Sequence, residues 1–348
     1  MPRTILNRRF ITGLAGATAA MVLLAGCSSP QPDSGQSPSP TPASASPTAP
    51  ASADPSATPT PTPIPPAANL DGIAVAGAFN AEPQVTLPGP FAVEETMSKV
   101  LTEGTGSVIK ENGVAEVHYV GLNGRTGQKF DDSYSRGQTV EFTLSQVVPG
   151  FKKGLTGKKV GSRVLIAMPG KDGYDSSGGN ANAGIEVGDT LVFVVDIVAA
   201  PLDTAAGTEQ PAPQGGPTVQ FGADNKPTIT IPANTKAPTE LQSHPLIVGT
   251  GKKVAAGDTV TVQYAASSWR TGESIIDIYG QPEQGALNKM IPAWQEALVN
   301  QPVGSRILIV APPDKAYPEG SDRPRVQAGD TVVFVVDILW TAQAQSGF

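Results

Sequence analysis

The 348 residues include one cysteine, Cys27, and two histidines, His118 and His244. One thiol cannot build a disulfide framework within the chain. So few His and Cys leave a structural zinc without a ligand set, and no spaced run of aspartates resembles a calcium loop. Neither a metal nor a cofactor is expected. The sequence has no Cys–His pair, no HExxH, no phosphate-binding P-loop and no GxSxG elbow. Basic blocks are missing from the body, and 24 Lys plus Arg against 31 Asp plus Glu leave a formal charge of −7, so a nucleic-acid partner is not expected. Aromatics are sparse, at 10 Phe, 6 Tyr and 3 Trp, so their placement carries information. His118, mid-strand beside Tyr119, reads as structural, and Asp189 and Asp330 read as turn formers.

What is present begins with an apolar run, "FITGLAGATAAMVLLAG", which follows Arg3, Arg8 and Arg9 and ends at Cys27. It has the length of a signal peptide's core and is short for a membrane span. Leu24-Ala25-Gly26-Cys27 resembles the lipobox of bacterial lipoproteins. That resemblance implies a signal peptide over 1–26, lipidation of Cys27, and a lipid-anchored protein on the extracytoplasmic face of the bacterial cell membrane. Residues 27–68, mostly Ser, Pro, Thr and Ala, cannot bury enough apolar area to offset their ordering entropy and read as a stalk.

From Asn69 the texture changes to short alternating strands and Gly-bearing turns. The segment is written twice. "GSRVLIAMP" (161–169) returns as "GSRILIVAP" (304–312), and "GDTLVFVVDIV" (188–198) as "GDTVVFVVDIL" (329–339). The offsets are 304 − 161 = 143 and 329 − 188 = 141, so one fold recurs with small deletions. The reading places a first domain at 69–200, a Pro/Gly-rich linker at 201–217, a second domain at 218–342 and a tail at 343–348. Each repeat holds one helix candidate. In the first, Phe151 and Leu155 are four apart behind Pro149; in the second, Trp294, Ala297 and Leu298 follow Pro292. One short helix among five or six strands is an α+β layout with the helix against a sheet.

In the first repeat, "VHYVGLNGRTGQKFDDSYSRG", "VVPGFKKGL", "VGSRVLIAMPGKDGYDSSGG" and "GDTLVFVVDIV", in that order, resemble the FKBP-type peptidyl-prolyl cis–trans isomerases. The resemblance covers about 115–198 and, more weakly, 257–340. It implies two FKBP-like α+β domains, each an antiparallel β-sheet wrapped around a short α-helix with an aromatic-lined pocket between them. By position, Tyr119, Phe130, Val147, Val148, Phe151, Tyr174, Ile185 and Phe193 would line that pocket. Asp131 would hydrogen-bond at its mouth with Arg136 beside it, and "DSSGGNANAG" would form the flap. Phe151 stands where the family usually has Trp, and Val140 where it often has Phe. In the second repeat Tyr264, Asp277, Ile291, Trp294, Tyr317, Val326 and Phe334 match. There the Phe-Asp pair becomes Ile276-Asp277 with no arginine after it, which implies a weakly active or purely binding domain.

The implied function is isomerisation of X–Pro bonds during folding of exported proteins, in an apolar pocket without covalent catalysis. The expected partners are proline-containing polypeptides, and the expected state is a monomer. Two other readings stay open at this point: a non-catalytic peptide-binding or chaperone lipoprotein, and a surface adhesin of tandem β-domains. The adhesin requires the aromatics to scatter through a core; the other two require them to converge on one concavity.

Overall fold

The computed structural model describes residues 63–343 apart from Asp224. The signal peptide at 1–26, Cys27, most of the stalk and residues 344–348 lie outside the described residues.

Seven elements of the first repeat frame the site: β1 (Met97–Thr102), β2 (Val114–Asn123), β3 (Lys129–Asp132), β4 (Val140–Thr143), α1 (Pro149–Leu155), β5 (Arg163–Met168) and β6 (Leu191–Ala199). The antiparallel order is β1-β5-β6-β2-β3, with β4 pairing the other half of β2. The second repeat follows with β7 (Gly207–Glu209), β8 (Gln242–Gly249), β9 (Thr259–Ser268), β10 (Ser274–Asp277), β11 (Glu283–Ala286), α2 (Pro292–Leu298), β12 (Arg306–Ala311) and β13 (Val332–Ala342). Its order, β10-β9-β13-β12-β8-β7 with β11 on β9, repeats the first and adds one edge strand.

The duplicated apolar run is explained by the two faces of β6 and β13. Side chains alternate along a strand. Leu191, Phe193, Val195 and Ile197 face the helix side, while Val192 and Val194 face the opposite layer. In the second repeat Val332, Phe334, Val336 and Ile338 face the helix, and Val333 and Val335 face away. A strand covered on both sides has no polar face to write, so it reads as an unbroken hydrophobic stretch.

The opposite layer was not anticipated from the sequence. A hairpin of Ala74–Ala76 with Gln84–Thr86 brings Val75 and Val85 onto the back of the first sheet, and Thr218–Phe221 with Pro227–Thr230 brings Val219, Phe221 and Ile229 onto the second. The offsets, 218 − 74 = 144 and 230 − 86 = 144, make the hairpin part of the duplicated unit. Beneath each layer lies a buried ion pair, Arg163–Asp196 and Arg306–Asp337, both at 2.6 Å. Tyr134 and Tyr279 donate their hydroxyls to these carboxylates, at 2.8 and 3.2 Å. Arg306 also lies 3.7 Å from the ring centre of Phe221, a cation–π contact.

Two expectations about the connections change. The linker at 201–217 is partly built into the second sheet, where Thr208 pairs Val248 in β7–β8. Leu202 N–H donates to the Leu339 carbonyl at 3.0 Å, and Ala205 N–H to Asp337 at 3.1 Å. The end of the stalk is also tied down: Ala67 N–H donates to Ala92 carbonyl at 2.7 Å. Backbone polar groups that find partners on a sheet or loop order a segment whose composition alone argues for a spacer.

Candidate functional site

The site of the first repeat is built where α1 crosses the sheet. Pro149 at the helix start needs no partner for its absent N–H. Gly150 sits over Met168, where an added Cβ would fall 2.4 Å from Sδ, so the helix lies close against β5. That approach sets the Phe151 ring 4.6 Å from Phe193 and 4.9 Å from Phe142, centre to centre. Tyr119 from β2 joins them, 5.6 Å from Phe142 and 6.2 Å from Phe193. Phe130 meets the Phe193 ring edge-on at 5.6 Å. Gly121 makes that pair possible: a Cβ there would lie 2.7 Å from Phe193 Cε1 and 2.9 Å from Phe130 Cζ.

These rings enclose a cavity of about 260 Å³ lined by Tyr119, Phe130, Asp131, Phe142, Gln146, Val147, Val148, Phe151, Tyr174 and Phe193. Eight of the ten residues expected in the first repeat are among them. The other two are placed differently. Arg136 stands at the rim, donating to Asp131 at 2.7 Å and to the Tyr119 hydroxyl at 3.0 Å. Ile185 is 4% exposed and packs in the core beside the pocket rather than lining it. Phe142 and Gln146 line the cavity and were not expected. The signal for Phe142 was in the alternation: Val140 and Phe142 flank Glu141, so the aromatic falls on the inner face of β4. Val140 packs on the core without lining the cavity.

The polar edge is a linked trio. The Tyr119 hydroxyl donates to Asp131, whose other oxygen takes the Arg136 guanidinium. Burial and the bond to Asp131 push the Tyr119 phenol up to about 12, so it stays a neutral donor. Burial raises Tyr174 as well, with the Asp131 charge adding to it. Tyr174 makes no side-chain hydrogen bond among the described residues and is available to a guest. The segment 175–184 forms two short turns at Asp175–Ser177 and Ala181–Ala183, following Tyr174. His118 is structural, as expected: Nδ1 lies 2.9 Å from Ser133 Oγ and the ring stacks on Tyr134 at 4.5 Å.

The second repeat has its own cavity, about 290 Å³, lined by Val262, Tyr264, Glu283, Gln284, Lys289, Met290, Ile291, Trp294, Tyr317 and Phe334. Of the expected residues, Tyr264, Ile291, Trp294, Tyr317 and Phe334 line it. Val326 is 5% exposed and buried in the core, as Ile185 is in the first repeat. Asp277 is a correction. Gly121 opposes Asp131 in the first repeat, and the residue 145 later, Ala266, opposes Ile276. Asp277 opposes Ala265 as Asp132 opposes Val120, so it corresponds to Asp132 and turns out to Lys226 at 2.9 Å. The position of Asp131 is therefore held by Ile276, and that of Phe130 by Ile275; both pack on the apolar core. Phe142 has become Gly285, where the Met290 methyl approaches the space a Cβ would take, at 2.9 Å. Among the described residues the Tyr264 hydroxyl makes one hydrogen bond, at 3.5 Å to Glu283.

Among the described residues no group of His, Cys, Asp or Glu could hold a metal ion, and no helix is long and apolar enough to cross a membrane. The apolar cavity with one polar edge can grip a small ring and strip water from an adjoining amide; it holds no nucleophile–base pair.

Comparison with known proteins fits this geometry. The profile of the FKBP-type peptidyl-prolyl cis-trans isomerase domain matches residues 106–198 and again 250–339. A probable FK506-binding protein of Corynebacterium glutamicum is 36% identical over 119 residues, which cover 34% of this chain and 98% of that protein. The FK506-binding protein of Streptomyces anulatus is 37% identical over 120 residues, 34% of this chain and 96% of that one. The crystal structure of a peptidyl-prolyl cis-trans isomerase from Pseudomonas syringae pv. tomato matches at 30% identity over 30% of this chain and 74% of that chain, with a TM-score of 0.27. The chain belongs to the FKBP-type peptidyl-prolyl cis–trans isomerase family, carries that domain twice, and is a peptidyl-prolyl cis–trans isomerase acting on proline-containing polypeptides.

Proposed function

We propose that the first-repeat cavity is where the prolyl bond turns, and that the second binds polypeptide without appreciable turnover. The observation that carries this is the convergence of Tyr119, Phe130, Phe142, Phe151 and Phe193 on one 260 Å³ apolar cavity whose only charged lining group, Asp131, is already tied to Tyr119 and Arg136. The barrier to rotation, about 18–20 kcal/mol, comes from amide resonance that is lost in the twisted state. Water favours the planar, more polar amide. A proline ring set against Phe151 and Phe193, with Val147 and Val148 beside it, leaves its carbonyl in a dry pocket that favours the twisted form. The free Tyr174 hydroxyl holds the substrate backbone, and the Tyr119–Asp131–Arg136 trio fixes the mouth. No covalent intermediate is formed. In the second repeat that trio is missing, with Ile276 in place of the carboxylate, which favours binding over turnover.

The cellular role we infer is folding of exported proteins, in which uncatalysed X–Pro isomerisation takes tens to hundreds of seconds. The lipobox-like sequence supports lipid on Cys27 holding the protein at the extracytoplasmic face of the cell membrane. A proline-tetrapeptide isomerisation assay on full-chain variants tests the assignment. Phe130→Ala and Tyr174→Ala should each lower kcat/KM at least tenfold while Trp294→Ala leaves it within twofold; the opposite pattern refutes it. Mass measurement of the mature N-terminus should give a diacylated Cys27, and an unmodified one would refute the anchor.

A further inference from the structure

The repeats meet at a polar cleft of about 480 Å³, lined by Glu116, Thr139 and Glu141 from the first and by Lys252, Thr259 and Gln284 from the second. It shares a lining residue with the second cavity and lies across β4 from the first. On β4, Phe142 lines the first cavity and the neighbouring Glu141 lines the cleft. Gln284 lines both the cleft and the second cavity. β4 and β11 each pair along one edge only, so each leaves a row of backbone donors and acceptors on the other. Free strand edges beside a groove are what an extended polypeptide docks on.

The charge in this cleft is out of balance. Glu116 and Glu141 stand directly opposite each other across β2 and β4. Like charges so placed destabilise a sheet. Glu116 takes the Thr139 hydroxyl, and Glu141 takes the Trp340 indole N–H of the second repeat at 3.2 Å. Neither carboxylate has an ion pair among the described residues, and Lys252 is the one cation lining the cleft. Burial pushes the Glu141 carboxyl up and the Glu116 charge adds to it, while the Trp340 bond and the Lys252 charge offset part of that rise. A guest cation would offset the rest.

We propose that the cleft is a docking groove for an extended polypeptide carrying a lysine or arginine, whose cation sits between Glu116 and Glu141 while a proline of the same segment occupies the first cavity. The inference rests on the first cavity being the proline site. Because the cation must round the free edge of β4, it is placed about five residues from the proline, a reach of about 16 Å at about 3.3 Å per residue. This makes the preferred clients unfolded segments with a basic residue a short distance from an X–Pro bond.

Fluorescence anisotropy on the full chain tests it, using labelled peptides that contain Ala-Leu-Pro-Phe and, about five residues on, Lys, Gln or Glu. The lysine peptide should bind about tenfold tighter than the glutamine peptide at low salt, which corresponds to about 1.4 kcal/mol, and the glutamate peptide more weakly still. The double substitution Glu116→Gln, Glu141→Gln should erase the preference and leave kcat/KM on the tetrapeptide unchanged. Lys252→Gln should widen the preference. Equal binding of the lysine and glutamine peptides, or a preference that survives the double substitution, overturns the groove. Turnover is read separately. A chain that isomerises the tetrapeptide but ignores lysine refutes the groove alone; one that prefers lysine but never accelerates isomerisation refutes the pocket reading.

Discussion

Gly121→Ala is a small change that strikes the candidate site without touching its polar edge. The new methyl carbon would lie 2.7 Å from Phe193 Cε1 and 2.9 Å from Phe130 Cζ. An ordinary contact begins at 3.4 Å, so Phe193 must retreat by 3.4 − 2.7 = 0.7 Å and Phe130 by 3.4 − 2.9 = 0.5 Å. Phe193 cannot retreat freely, because its ring is packed 4.6 Å from Phe151. Overpacking of this kind costs about 1–3 kcal/mol of stability. The same shift displaces two walls of the cavity, and misplacement on the order of 1 Å can cost about a hundredfold in rate. We therefore expect kcat/KM on a proline tetrapeptide to fall about tenfold to a hundredfold, while near-ultraviolet circular dichroism and thermal unfolding show a folded chain of lower Tm. The corresponding residue of the second repeat is already alanine, Ala266, beside Ile275 and Ile276 rather than Phe130 and Asp131. A folded Gly121→Ala protein with unchanged kcat/KM would refute the claim that the Phe130–Phe193 wall shapes the reacting site.

Asp131→Asn should lower kcat/KM about tenfold yet change stability by less than about 1 kcal/mol, since the Asp131–Arg136 pair is well exposed and such pairs contribute little; paired kinetics and melting curves check both. Arg163→Met should cost about 3–5 kcal/mol, because it leaves Asp196 buried without its cation, and a chemical-denaturant curve should show the first repeat unfolding ahead of the second. An ordinary tyrosine is half ionised at pH 10, whereas Tyr119 is pushed up to about 12; a pH–rate profile should therefore stay level through pH 10. The sign for stability follows from the same raised value: the neutral Tyr119 stabilises the fold fully below pH 10, and this is lost as pH rises toward 12. Tyr119→Phe should remove that share of the alkaline loss, and Asp131→Asn should move the onset to lower pH, because the bond to Asp131 raises the phenol.

The duplicated strand, the two short helices and most of the aromatic set were legible because each has a strong local signature. Phe151 four residues before Leu155, with Pro149 in front, leaves few alternatives to a helix start. Asp277 was not legible. "KFDD" and "SIID" both end in aspartate, and the doublet Asp131-Asp132 offers two registers. Because side chains alternate, a slip of one residue moves a carboxylate from the pocket to the opposite face. Only the pairing of Ala266 with Ile276 resolves it. The back hairpins were missed because their strands run for three or four residues, too few for a period to show. The linker's order depends on partners supplied by Leu339, Val248 and Asp337, far along the chain, which its own composition does not reveal.

Exchange NMR of a peptide with an isotope-labelled proline, bound to the full chain, tests the central claim most directly. It reads the cis–trans rate from exchange cross-peaks and the ring's location from nuclear Overhauser contacts in one sample. The account predicts exchange well above background, with proline-ring contacts to Phe142, Phe151 and Phe193. Accelerated exchange with contacts confined to Trp294 and Phe334, or contacts to the first cavity without acceleration, would contradict it.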